Sequence, residues 1–271
     1  MRVKYIIPPK FRPDFINQEL YTNLRHEMEI HDEVEIVDLS PDIVHIFGIW
    51  NNSFARRVER YRSIDIPVIF TSINEILNIV NRNGHVTSGL DAIMAVKKIA
   101  SLNALIHVCG KSEENIIRKF ARKAEIKTVM NSTFTSLISK EEMSAEIYKI
   151  YLSETDSNEK RIRETINSQI SSIGVNDKYI SDICSRIMYI KQRFHMQNIP
   201  LAYLKETAKV MTESNYDEND MRQTLAKMKL LDFASYTMTL LRNKANLTEG
   251  FMPIASSEGK TVGKMEKVTI Q

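Results

Sequence analysis

The chain has 271 residues, 43% hydrophobic and 26% charged, and its 37 Lys and Arg against 34 Asp and Glu leave a formal charge of +3. That is enough chain to bury the core of one large domain or two modest ones, and too even a balance to offer a polyanion a strong field, so nucleic acid is not an expected partner. From Glu154 onward 17 basic residues face 15 acidic ones, so no basic half is hidden behind the average.

In chain order, residues 1–9 are too briefly apolar for a signal peptide, and no later run approaches the roughly 20 apolar residues that span a bilayer. The chain therefore reads as cytoplasmic, with peripheral contact at the inner face of the membrane left open. Short Val- and Ile-rich runs at 3–7, 34–39, 43–47, 68–71, 105–109 and 127–130 read as strands. Helix-like stretches at 15–29, 53–62, 88–102 and 112–124 lie between them, the last opening on Ser112 with Glu113 and Glu114. This alternation predicts an α/β, Rossmann-like, mostly parallel sheet with helices on both faces. Only Ser40, Pro41 and Asp42 separate the second and third strands, too few for a parallel crossover. The second strand is thus expected to be antiparallel or to drop out of the parallel set.

The polar stretch 152–159 marks an expected boundary, giving an α/β domain at 1–152, a helical domain at 153–247 and a flexible or partner-docking tail at 248–271. Helices are expected at 159–173, 177–197, 200–213 and 218–243, the second carrying an apolar stripe of Ile180, Ile183, Ile187 and Ile190. Cys109 and Cys184 lie far apart without metal-like spacing, so neither a disulfide framework nor a zinc site is expected, and no cofactor is.

Open α/β sheets bind ligands outside the carboxyl ends of their strands, which directs attention to Gly48–Asn52, Thr71–Glu75, Cys109–Glu113 and Met130–Thr133. Taken in order, the segments 41–50 (PDIVHIFGIW), 66–71 (IPVIFT), 104–109 (ALIHVC) with Glu113, and 127–131 (KTVMN) resemble the N-terminal lobe of GT-B fold, family 4 retaining glycosyltransferases. The resemblance covers residues 1–142. It implies a role in cell-surface polysaccharide or glycan assembly, with a glycan acceptor or nucleotide sugar at the strand ends, where Gly48, Trp50, Asn51, Ser72, Asn74, Lys111, Glu113 and Asn131 are the candidate binding residues. The chain departs from the family's pattern at Phe47, where a second histidine is usual, and at Ile73 and Asn74, where His-Gly is usual. Its first loop, Pro8 to Pro13, has no glycine. No second strand-rich lobe follows, and glutamate pairs at the family's catalytic separation are scattered along the chain.

On the residues alone, Glu75 is the best-placed carboxylate for base chemistry, against a reading as an ordinary first-turn helix residue. Lys111 with Ser112 could hold a phosphate or be a solvated lysine. Trp50, the single tryptophan, either stacks on a sugar or closes the core. His45 and His107 read as core histidines. The rival to a transferase is a scaffold or regulatory protein that binds a partner protein through the α/β lobe and helices 153–247.

Overall fold

Strands buried on both faces need apolar side chains of both parities, and residues 43–47, 68–71 and 105–108 supply them: each of these positions is buried. The computed structural model describes residues 1–7, 16–72, 86–131 and 137–271. Its contacts divide the chain into Met1–Asn158 and Glu159–Gln271.

The first unit comprises β1 (Arg2–Ile6), α1 (Ile16–Glu29), β2 (Glu35–Ile36), β3 (Ile43–Phe47), α2 (Asn52–Arg62), β4 (Val68–Thr71), α3 (Val86–Ser101), β5 (Leu105–Val108), α4 (Lys111–Phe120), β6 (Ile126–Thr128) and the first part of α5 (Lys140–Ile173). The six strands form one parallel sheet in the order β2-β1-β3-β4-β5-β6. The expectation for the second strand is corrected: β2 is parallel and paired, but only two residues long. It joins at the amino end of β1, where Glu35 pairs with Arg2, and Asp42 N–H then donates to the Arg2 carbonyl at 2.8 Å. Because β2 hardly rises above that edge, the chain reaches β3 by passing along it and needs no helical crossover.

Register assigns the two faces. Tyr5 pairs with His45, Phe47 with Thr71, and Thr71 with His107, so these residues point the same way. Leu20, Leu24 and Met28 of α1, with Met143, Ile147 and Tyr151 of α5, cover that face. On the other face Trp50 and Phe54 pack on Phe70, and α2, α3 and α4 lie side by side. Right-handed crossovers explain the sorting: steps from β3 to β6 run in one direction across the sheet and carry their helices to one face, while the step from β1 to β2 runs the other way. A capping box opens α5, with Ser139 Oγ accepting from Glu142 N–H at 3.1 Å and Glu142 accepting from Ser139 N–H at 2.8 Å.

The polar stretch 152–159 is not a linker but part of the continuous helix α5, and the division between the two units falls within it, between Asn158 and Glu159. The second unit adds α6 (Lys178–His195), β7 (Ile199–Pro200), α7 (Leu201–Glu213), α8 (Glu218–Lys227), α9 (Leu231–Ala245), a 3-10 turn at Glu249–Phe251, α10 (Lys260–Lys267) and β8 (Thr269–Ile270). The stripe foreseen on α6 is buried, with Ile183, Ile187 and Ile190 fully covered. The single helix expected at 218–243 is two. Lys229 adopts a left-handed φ of 54°, and Leu230 N–H reaches back to the Leu225 carbonyl at 2.9 Å in a Schellman turn. The tail is folded rather than loose: Val262 and Met265 are buried and β8 pairs with β7.

Candidate functional site

A parallel sheet gathers the carboxyl ends of its strands on one edge, and the order places the topological switch point between β1 and β3. The crevice for a ligand in such a sheet opens outside those two strands. Of the residues singled out from the sequence, Pro8 to Pro13, Ile73, Asn74, Glu75, Ser132 and Thr133 lie outside the described residues; the remaining candidate binding residues can be placed.

Gly48 follows β3 and donates its N–H to the Thr71 carbonyl at 3.0 Å. A Cβ here would stand 2.6 Å from the Phe54 ring, so the missing side chain is what lets α2 close onto the strand end. Trp50 is 2% exposed and packs on Phe70 at a ring separation of 4.6 Å, which makes it the plug of the core and leaves it no open face for a sugar. Asn51 caps α2, its side-chain oxygen accepting from Phe54 N–H at 3.0 Å. Ser72, Glu113 and Asn131 are buried beneath the edge. Burial, with a smaller push from Glu113, raises the Cys109 thiol to about 12, so the sulfur stays protonated at neutral pH.

Lys111 opens α4 with its ammonium exposed, but that ammonium is already paired: its Nζ lies 2.9 Å from Glu114 Oε2. Glu114 also accepts from Arg118 at 2.8 Å and from Thr128 at 3.1 Å. Lys111 first, then Arg118, holds the Glu114 carboxyl down to about 2. A phosphate at this helix start would compete with Glu114 for the lysine.

Beneath the edge the sequence pattern had not disclosed a connected polar chain. His107 Nε2 faces the Val129 carbonyl at 3.3 Å, His107 Nδ1 is 2.9 Å from Thr71 Oγ1, Thr71 Oγ1 is 2.6 Å from His45 Nε2, and His45 Nδ1 is 2.6 Å from the Tyr151 hydroxyl. Tyr151 and Tyr5 share a further hydrogen bond at 3.3 Å. With both rings neutral, one direction satisfies every link. A carbonyl only accepts, so His107 Nε2 carries the proton and Nδ1 accepts from the Thr71 hydroxyl. That hydroxyl in turn accepts from His45 Nε2–H, and His45 Nδ1 accepts from Tyr151. Burial drives both histidines toward the neutral form, His107 to about 4 and His45 well below its ordinary value, the latter also through the nearby His107. His45 is 0% and His107 1% exposed. The chain orients protons across the core and fixes α5 to the sheet through Tyr151; it offers no base to solvent. Its signal in the sequence was parity alone, four polar strand residues on one face.

The chain matches no known protein family, no characterised protein and no solved structure. Among the described residues no group of three or more His, Cys, Asp or Glu could hold a metal ion, and no helix is long and apolar enough to cross a membrane. In the second unit Lys178, Tyr179, Asp182, Val210, Glu213 and Ser214 line a shallow groove of mixed charge, without a convergent polar set.

Proposed function

We propose that the α/β unit is a glycosyltransferase-like binding unit of cell-surface glycan assembly, taking a glycan acceptor or a nucleotide sugar at the carboxyl edge of its sheet. The observation that carries this reading is the parallel order β2-β1-β3-β4-β5-β6, whose switch point adjoins the Pro41–Trp50 segment on which the family resemblance chiefly rests. Lys111, at the start of the helix that follows β5, is the cation offered to such an anion, and Glu75 the carboxylate offered for chemistry. Calorimetric titration of the full chain with nucleoside diphosphates and their sugars tests the reading. Saturable binding weakened by Lys111→Ala or Glu75→Gln supports it, and flat titrations across the panel refute it.

One set of observations favours a second reading, a scaffold or regulatory protein without turnover. Gly48, Trp50 and Asn51 are occupied by packing and capping, and the second unit is helical where a two-lobed transferase has another α/β domain. A stable complex with a partner protein, together with failed sugar binding, would select this reading over the first.

A further inference from the structure

Charge that is evenly mixed along the chain is sorted by the fold. Helices α2, α3 and α4, with the turn through Lys123, carry eleven Lys and Arg against four Asp and Glu, and two of those acids, Glu113 and Glu114, are buried. On the opposite face, α1 and residues 140–158 of α5 carry three Lys and Arg against eight Asp and Glu. The α/β unit is therefore strongly positive on one side and negative on the other.

The positive side is also apolar at its outermost points. On α3 the residues turned to the sheet are Ala92, Ala95, Val96 and Ile99, so helical periodicity places Leu90, Met94 and Lys97 on the outward line. Leu90 is 53% and Met94 66% exposed, one turn apart. On the adjacent α2, Phe54, Ala55 and Val58 face inward and Arg56 and Arg60 outward. Lys98 of α3 ties to Glu59 of α2 at 2.8 Å, which holds the two outer lines side by side. A nucleic acid would be matched by the cations but not by two bare aliphatic side chains among them. A bilayer surface is matched by both, since basic residues meet anionic headgroups while apolar ones enter the headgroup boundary.

We propose that the α2–α3–α4 layer docks on an anionic lipid surface, with Leu90 and Met94 inserted and Arg56, Arg60 and Lys97 on the headgroups. The test is sedimentation of the full chain with vesicles of phosphatidylcholine alone and of phosphatidylcholine with an equal share of phosphatidylglycerol. Binding is expected to the mixed vesicles only and to weaken as salt is raised. The triple change Arg56→Gln, Arg60→Gln, Lys97→Gln is expected to weaken it about a hundredfold, at about fivefold per cation. The pair Leu90→Ser, Met94→Ser is expected to weaken it about tenfold. All five side chains point outward, so both variants should keep the wild-type circular dichroism and melting curve. No sedimentation with mixed vesicles at low salt, or sedimentation unchanged by the triple variant, overturns the proposal. So does tighter binding to duplex DNA than to vesicles that the Leu90, Met94 variant leaves intact, which would make the layer a nucleic-acid surface.

Discussion

Lowering the pH should weaken the fold through its buried histidine chain before the paired carboxylate of Glu114 is affected. In an unfolded chain a histidine titrates near ~6.5, whereas His107 in the fold titrates at about 4. Between these values the unfolded state binds a proton that the folded state refuses. The stability associated with the neutral ring is complete above the unfolded value and is lost as pH falls below it, by about 1.4 kcal/mol per pH unit for each histidine. At about pH 4.5 His107 alone has removed about 2.6 kcal/mol. His45, shifted in the same direction by burial and by His107, adds a loss of the same sign. This is a large share of the roughly 5–15 kcal/mol typical of a domain. Glu114, held down to about 2 chiefly by Lys111, keeps its contribution until pH falls below the ordinary carboxylate range, so its loss comes in a lower window. Glu154, raised by burial, works the other way and gains stability as it protonates. Urea unfolding monitored by the fluorescence of Trp50, the single tryptophan and a buried residue of the same unit, should show a midpoint that declines steadily from neutrality to about pH 5. A midpoint flat across that interval would refute the neutral, desolvated assignment of both rings.

Three substitutions test the packing that surrounds the candidate site, each read as unfolding free energy by the same assay or by thermal melting. Thr71→Val removes the hydroxyl that both donates to His107 and accepts from His45, orphaning two buried nitrogens; the expected loss is about 2–5 kcal/mol, and a loss under ~1 would mean the chain repairs itself. Gly48→Ala puts a carbon 2.6 Å from the Phe54 ring and should destabilise by about 1–3 kcal/mol through displacement of α2, an unchanged midpoint disproving the close contact. Lys229→Gly relieves a left-handed backbone in an exposed turn and should stabilise the helical unit by about 1 kcal/mol, so a loss there would contradict the Schellman geometry.

What the sequence disclosed, and what it did not, follows from the kind of signal each element carries. Runs such as 43–47 and 68–71 announce themselves because a strand covered on both faces is apolar at both parities, with His45 and Thr71 the polar exceptions. The break between α8 and α9 carries no such mark, since a lysine rather than a glycine sits at the left-handed position that ends the helix. The stretch 152–159 signals the change of unit, which falls between Asn158 and Glu159, but not its helical form: its polar residues lie on one side of a long helix whose other side buries Tyr151 and Asn158. At the candidate site, Gly48, Trp50 and Asn51 are conspicuous in the sequence because a strand ends and a helix starts there. The same local geometry accounts for their use in packing and capping, so residue type alone could not separate a binding role from a structural one.

The histidine chain and the charged faces share a deeper cause, because both depend on how the strands are ordered and aligned in the sheet rather than on neighbours along the chain. Tyr5, His45, Thr71 and His107 come from four strands, and only parallel pairing with the observed alignment turns them to one side. Likewise, the cations at 56–62, 97–98 and 111–123 are offset in the summed charge of the chain by the acids of α1 and α5 that precede and follow them. A right-handed crossover after each of β3, β4 and β5 then collects the cationic helices on one face, while the acidic helices bracket the sheet on the other. A formal charge of +3 is thus compatible with a strong electrical asymmetry across a single sheet, and it is that asymmetry, rather than the net charge, that a lipid surface would meet.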